Sequence, residues 1–261
     1  MHIYLDNAST TPMFPDVIRV MTEVMNENFG NPSSIHFHGR KSKSIIENAR
    51  RVTANTINAS LSEIFFTSSA TEANNMVLKN VVQDHHIQRI ITSPTEHHCI
   101  LHSLDYLQKV NNIEVVVMNV DSEGNIDYDQ LEELLKLQGK KTLVSIMHGN
   151  NEIGTMSDLH KIGALCAENQ ALFHCDAVQT VGKYAIDVQS SMISYLSGSA
   201  HKFHGPKGAG FVFINNDFML SPFIHGGAQE RNMRAGTENV TAIAGLATAL
   251  ELISRKMSEN E

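Results

Sequence analysis

Cysteine is scarce in this sequence: Cys99, Cys166 and Cys175 are the only three, and their spacing is irregular. That excludes a disulfide framework and a zinc ribbon, and points to reduced thiols in a reducing compartment. Long apolar runs are missing too. Ile113 to Met118 and Gly210 to Ile214 are among the longest, far short of what a bilayer requires. Basic residues are outnumbered, 20 Lys and Arg against 28 Asp and Glu, for a formal net charge of −8. An acidic chain is a poor fit to non-specific nucleic-acid binding, which needs a basic surface to displace counterions. Met1 to Asp6 has neither a basic segment nor an apolar core, so no signal peptide is expected there. There is no internal repeat and no low-complexity linker. The expectation is a cytoplasmic protein with no nucleic-acid or membrane partner.

What is present is an ordinary globular composition, 42% hydrophobic, long enough for one large domain. Short β-rich runs alternate with helix-length amphipathic stretches. Strands are expected at Ile64 to Phe66, Arg89 to Thr92, Glu114 to Met118, Thr142 to Met147, Leu172 to Cys175 and Phe211 to Ile214. Helices are expected after Thr67-Ser68-Ser69, through Asn74 and Leu78, and at His98 to Val110, Tyr128 to Leu137 and Asp158 to Asn169. Pro15 to Asn28 and Asn239 to Met257 read as flanking helices, each with apolar residues on one face. This alternation predicts an α/β domain with a mostly parallel central sheet flanked by helices.

The densest chemical signal is Ser197 to Gly210, in which Lys202 sits among hydroxyls, imidazoles and glycines. A lysine so placed can form a Schiff base if its amine is held neutral; a glycine-rich surface loop reads the same residues plainly. The Gly-Lys-Ser/Thr ending of a Walker A loop is absent. Asp176 follows the Leu172 to Cys175 strand, where a carboxylate can face a ligand crevice and pair with a protonated pyridine nitrogen, or merely cap a helix. Thr67 to Asn75 is a hydroxyl-rich strand-to-helix turn, read either as a phosphate cradle or as a capping box of Ser69 with Glu72. Thr95-Glu96-His97-His98 and Gly149 to Gly154 both follow expected strands. A histidine there can stack on a flat ring and an asparagine can donate to its phenolic oxygen, though turn capping and solvation serve equally. Among 14 histidines, His36 with His38 and His201 with His204 have ligand-like gaps, but no third ligand follows from the spacing, so no metal is expected.

Taken in order, Tyr4 to Pro12, Gly30 to Ser34, Ser69-Ala70-Thr71-Glu72, Thr95-Glu96-His97, Asn150 to Gly154, Asp176 to Gln179, Ser199 to Lys202, Gly226 to Glu230 and Arg234 to Asn239 run over essentially the whole chain. In them the sequence resembles the class V, fold-type I pyridoxal-5′-phosphate (PLP) enzymes, and among these the cysteine desulfurases of iron–sulfur cluster assembly. The resemblance implies a segment 1–14 near the active-site mouth and a PLP-binding large domain over 15–261. The family's small C-terminal domain, with its persulfide-forming cysteine and carboxylate-clamping arginine, is expected downstream of Glu261, so this chain is expected not to complete turnover. The resemblance makes Lys202 the Schiff-base lysine and proton shuttle, and His97 the ring-stacking group and proton-transfer partner. Asp176 would meet the ring nitrogen and Gln179 the phenolic oxygen, with Asn151 orienting cofactor and substrate carboxylate. Ala70, Thr71, Ser199 and His201 would hold the phosphate, joined by Thr237 from a second copy in a homodimer. L-cysteine and a sulfur-acceptor protein are the implied partners. Cys99 is expected to be a packing residue. A selenocysteine lyase, an aminotransferase or a non-catalytic PLP-binding fragment are the alternatives.

Overall fold

The computed structural model describes residues 2–137 and 139–260; Met1, Gln138 and Glu261, within the expected segments 1–14 and 15–261, lie outside the described residues. In chain order the elements are α1 (Pro15–Glu27), α2 (Phe37–Thr56), β1 (Ile64–Thr67), α3 (Ala70–Asp84), β2 (Arg89–Thr92), α4 (His98–Asn111) and β3 (Glu114–Val117). There follow α5 (Tyr128–Leu135), β4 (Thr142–Met147), α6 (Leu159–Glu168), β5 (Leu172–Asp176), β6 (Tyr195–Ser199), β7 (Gly210–Ile214) and α7 (Val240–Asn260). The seven strands form one sheet in the order β1-β7-β6-β5-β4-β2-β3. Only β7 runs against its neighbours β1 and β6; every other pair is parallel.

Alternation along the strands builds two cores. Phe65, Ile90, Leu143 and Tyr195 point to the face covered by α3 and α4. Their chain neighbours Ile64, Ile91, Val144 and Leu196 point to the opposite face, whose core also takes in apolar residues of α1, α2, α6 and α7. Both faces are therefore dry, which is why these strands read as continuous apolar runs rather than alternating ones. The α3 face turns polar toward the carboxyl ends of the strands: Ser145, His174, Ser197 and Asp176 all lie there, buried. Because β1, β2, β4, β5 and β6 share one direction, their carboxyl ends open along a single edge, the place where doubly wound sheets bind ligands.

Two elements differ from the sequence reading. Helix α2 went unpredicted because its buried face, with Gly39, Ser42, Ala49, Arg50 and Thr53, carries only Ile46 as a large apolar side chain. Strand β6 replaces the start of the expected glycine-rich stretch. Ser197-Gly198-Ser199 is a fully buried strand next to the centre of the sheet, and a Cβ on Gly198 would lie 2.3 Å from the Phe211 ring of β7.

Candidate active site

The carboxyl edge holds a cavity of about 470 Å3. Into it the structure brings Ala70, Thr71, His97, Asn151, Asp176, Gln179, Ser199, His201 and Lys202, nine side chains from five loops or strand ends. Thr237 is not among them. It is exposed and lies in a separate groove with Ser68, Gly208 and Arg234.

Lys202 ends a short 3-10 turn, Ala200–Lys202, that leaves β6 at Ser199. Its half-buried amine donates to the carbonyls of Ala8 (2.5 Å) and Ser9 (2.8 Å). Burial lowers its pKa, opposed by the carboxylates of Asp176, Asp6 and Glu152. A lowered pKa makes the neutral, nucleophilic amine available nearer neutrality. The N-terminal segment is strapped over this turn. Thr11 N–H donates to the His201 carbonyl at 2.8 Å, His204 N–H donates to the Thr11 hydroxyl at 2.7 Å, and Phe14 stacks on the His204 ring at 4.3 Å. His201 is lowered to about 4, first by burial and then by the Lys202 and Lys207 cations, so its imidazole is neutral near pH 7.

Asp176 closes β5 and is buried. Its Oδ1 accepts from Val178 N–H at 3.0 Å, so it caps a turn rather than the helix considered from sequence, and its Oδ2 accepts from Asn74 Nδ2 at 2.7 Å. Burial raises its pKa, while the hydrogen bonds from Val178 and Asn74 and the Lys202 charge pull it down.

At the start of α3, Ser69 Oγ accepts Glu72 N–H at 3.2 Å, the first half of a capping box. The second half is absent. Glu72 instead accepts from Ser68 N–H and from Arg234, 2.8 Å away, and these bonds overcome burial to hold it below its ordinary value. Ala70 and Thr71 N–H, in the first turn, have no acceptor within the helix. Gly210 permits the close approach here, since a Cβ on it would meet Ala70 N at 3.0 Å and Ser69 C at 2.8 Å.

His97 caps α4, and its Nδ1 accepts Cys99 N–H at 3.1 Å. Asn151 donates to Glu152 Oε1 at 2.7 Å, while Gln179 donates to the Ala8 carbonyl at 2.8 Å. Cys99 is more than packing: its thiol lines the cavity, 3.0 Å from His97 Nδ1. Burial, reinforced by the Asp176 charge, pushes it up to about 11, so it is a thiol and not a thiolate at neutral pH.

Asp6, Ala8 and Ser9, within the segment 1–14, line the mouth. Two supporting residues escaped the sequence reading. Glu96, pushed well above the carboxylate range by burial, accepts Met147 N–H at 2.6 Å and fixes the loop carrying His97 to the end of β4. Asn74 is the second, and a polar residue on the buried face of α3 between Ala73 and Val77 was the signal for it. Among the described residues no three His, Cys, Asp or Glu side chains gather as a metal would require. No helix there is long and apolar enough to cross a membrane.

The donor set is selective. A neutral imidazole, two hydroxyls and a helix N-terminus suit a phosphate; a buried carboxylate suits a cationic ring nitrogen; a poised amine suits an aldehyde. These residues fit PLP. Known proteins agree on the family. The aminotransferase class-V family model matches residues 3–261. "Cysteine desulfurase IscS" of Dictyoglomus turgidum is 45% identical over 98% of this chain, which spans 65% of that protein. "Putative cysteine desulfurase IscS 1" of Bacillus subtilis is 42% identical, again over 98% of this chain and 68% of its own length. A solved "NifS-like protein" superposes with a TM-score of 0.94 at 40% identity, over 99% of this chain and 71% of its own. SspA, solved in complex with cysteine, gives 0.91 at 35% identity over 96% and 72%. The chain belongs to the aminotransferase class-V family of PLP enzymes, in its cysteine desulfurase branch.

Proposed function

We propose that this cavity binds PLP and that the chain is the cofactor-binding part of a cysteine desulfurase acting in the cytoplasm. When bound, PLP supplies an electron sink for bonds at the α-carbon of an amino acid. Lys202 is its covalent attachment and moves the proton at the substrate α-carbon. Asp176 faces the ring nitrogen, Gln179 the phenolic oxygen, and His97 covers one ring face and assists proton transfer. Ala70, Thr71, Ser199 and His201 hold the phosphate, with Thr237 of a second copy completing it in a homodimer. Asn151 orients the cofactor and the substrate carboxylate. Over the whole reaction L-cysteine becomes L-alanine, its sulfur passing to a cysteine thiolate as a persulfide and then to an acceptor protein.

The observation that carries this reading is the convergence of a poised amine, a buried carboxylate and a helix N-terminus on one cavity. That a related protein was solved with cysteine supports the substrate.

Burial that raises the Cys99 thiol to about 11 keeps it protonated near pH 7, which supports a thiolate from elsewhere. Incubating the PLP-loaded chain with L-cysteine tests both points. A change in cofactor absorbance on adding L-cysteine, still present in Cys99→Ala, is expected. No response to L-cysteine contradicts the substrate, and alanine release abolished by Cys99→Ala contradicts the exclusion of Cys99.

A further inference from the structure

The structure assigns Asn74 a positioning role: its side-chain amide ties the Asp176 carboxylate to the Cys99–His97 pair. The groups facing the nitrogen edge and one face of the cofactor ring are thereby held by a single side chain. This rests on the reading of the cavity as a PLP site.

Asn74 is fully buried on α3. Its nitrogen lies 2.7 Å from Asp176 Oδ2 and 3.3 Å from Cys99 Sγ. An amide nitrogen carries two N–H donors and accepts nothing, so the carboxylate and the sulfur are both acceptors. With its lone pair engaged, the Cys99 thiol directs its own S–H to His97 Nδ1, 3.0 Å away, which also accepts Cys99 N–H. Nδ1 is therefore an acceptor, and neutral His97 carries its proton on Nε2. On the other side, Val178 N–H holds Asp176 Oδ1, so Asn74 fixes the second oxygen and with it the plane of the carboxylate. The amide is retained at a cost. Its Oδ1 is buried and finds no partner among the described residues, which packing alone would not select on a helix face beside Ala73 and Val77. The ionisable groups around Asp176 are Lys202, which favours its charge, and His97, Glu96 and Cys99 on the His97 side. None of them replaces a neutral donor at Oδ2.

The test uses the whole chain with Asn74→Ala, Asn74→Asp, Asp176→Asn and the Asn74→Ala/Asp176→Asn pair. PLP affinity is read by absorbance titration, and the Asp176 carboxyl is titrated by carbon-13 NMR in PLP-free protein. Losing a hydrogen bond to a charged group predicts PLP binding weakened roughly 10- to 100-fold by Asn74→Ala. Asn74→Asp, of the same shape, weakens it further because two carboxylates then compete for one site. The double variant binds no worse than Asp176→Asn alone, since Asn74 acts through that carboxylate. In PLP-free protein Asn74→Ala raises the Asp176 titration by about one unit or more, the same tenfold expressed in protons. An unchanged Asp176 titration, wild-type affinity in Asn74→Asp, or full additivity in the double variant overturns the assignment. If wild type takes up no PLP, the cavity reading falls, and the carbon-13 titration still decides the role of Asn74.

Discussion

Asp176→Asn is expected to weaken PLP binding by about 2–5 kcal/mol, the usual result of removing one member of a buried, hydrogen-bonded charge pair. An amide cannot hold the ring nitrogen protonated, so exchange of the substrate α-proton should slow in parallel. Folding should respond in the opposite direction. In the PLP-free chain burial raises Asp176, meaning that the folded state binds this proton more tightly than the unfolded chain does. Its favourable contribution is then complete at low pH, and is lost as pH climbs from the ordinary carboxylate range through the raised folded value. The asparagine variant lacks that dependence, so its PLP-free form should equal or exceed wild type in stability at neutral pH. Thermal melts of PLP-free protein across pH, beside PLP titrations, measure both effects. Unchanged PLP affinity together with a loss of stability would make Asp176 a structural turn cap.

Glu230→Ala is expected to cost about 3–5 kcal/mol of folding stability, because it leaves the buried Arg50 guanidinium with only the partly exposed Glu47, 3.3 Å from its Nε, as a counter-charge. The Glu230 carboxylate accepts from Arg50 Nη1 and Nη2 at 2.8 and 2.9 Å and from Phe66 N–H at 2.8 Å, with both charged side chains only 2% exposed. Arg50 also donates to the Ile64 carbonyl at 2.7 Å and lies over the Phe66 ring. This one ion pair joins α2 and β1 to the segment before α7. It also anchors a local distortion: Glu230, Arg231 and Asn232 all have positive φ, a region that residues with side chains seldom visit three times in succession. Urea unfolding with an unchanged m-value gives the number. A loss under about 1 kcal/mol would mean the pair is replaceable by solvent, as exposed pairs are.

How much of this could be read from sequence differs from element to element. Arg89–Thr92 and Thr142–Met147 were legible to the residue, because a strand buried on both faces carries consecutive apolar residues without a solvent-facing alternation. Helix α2 was invisible because its packing face is small and polar, and the bidentate partner of its buried Arg50 is a glutamate 180 residues away. Strand β6 reads as a loop in sequence because Ser-Gly-Ser has no apolar signature; its neighbour Phe211 supplies the side chain that Gly198 lacks. The cavity residues were legible as motifs, sitting at or within a few residues of strand ends. Their supports were not. Nothing local marks Asn74 as a donor to a carboxylate 102 residues on, or Glu96 as the bond to Met147.

The claim that Lys202 is the lysine poised for PLP is the one on which the rest depends. Lys207, five residues on, is exposed and outside the cavity, whereas Lys202 is half-buried with its pKa lowered. Loading the chain with PLP, reducing it with borohydride and mapping the peptides separates the two lysines. The expected result is a pyridoxyl group on Lys202 alone, lost in Lys202→Ala. A pyridoxyl group on Lys207, or on no lysine, would contradict it.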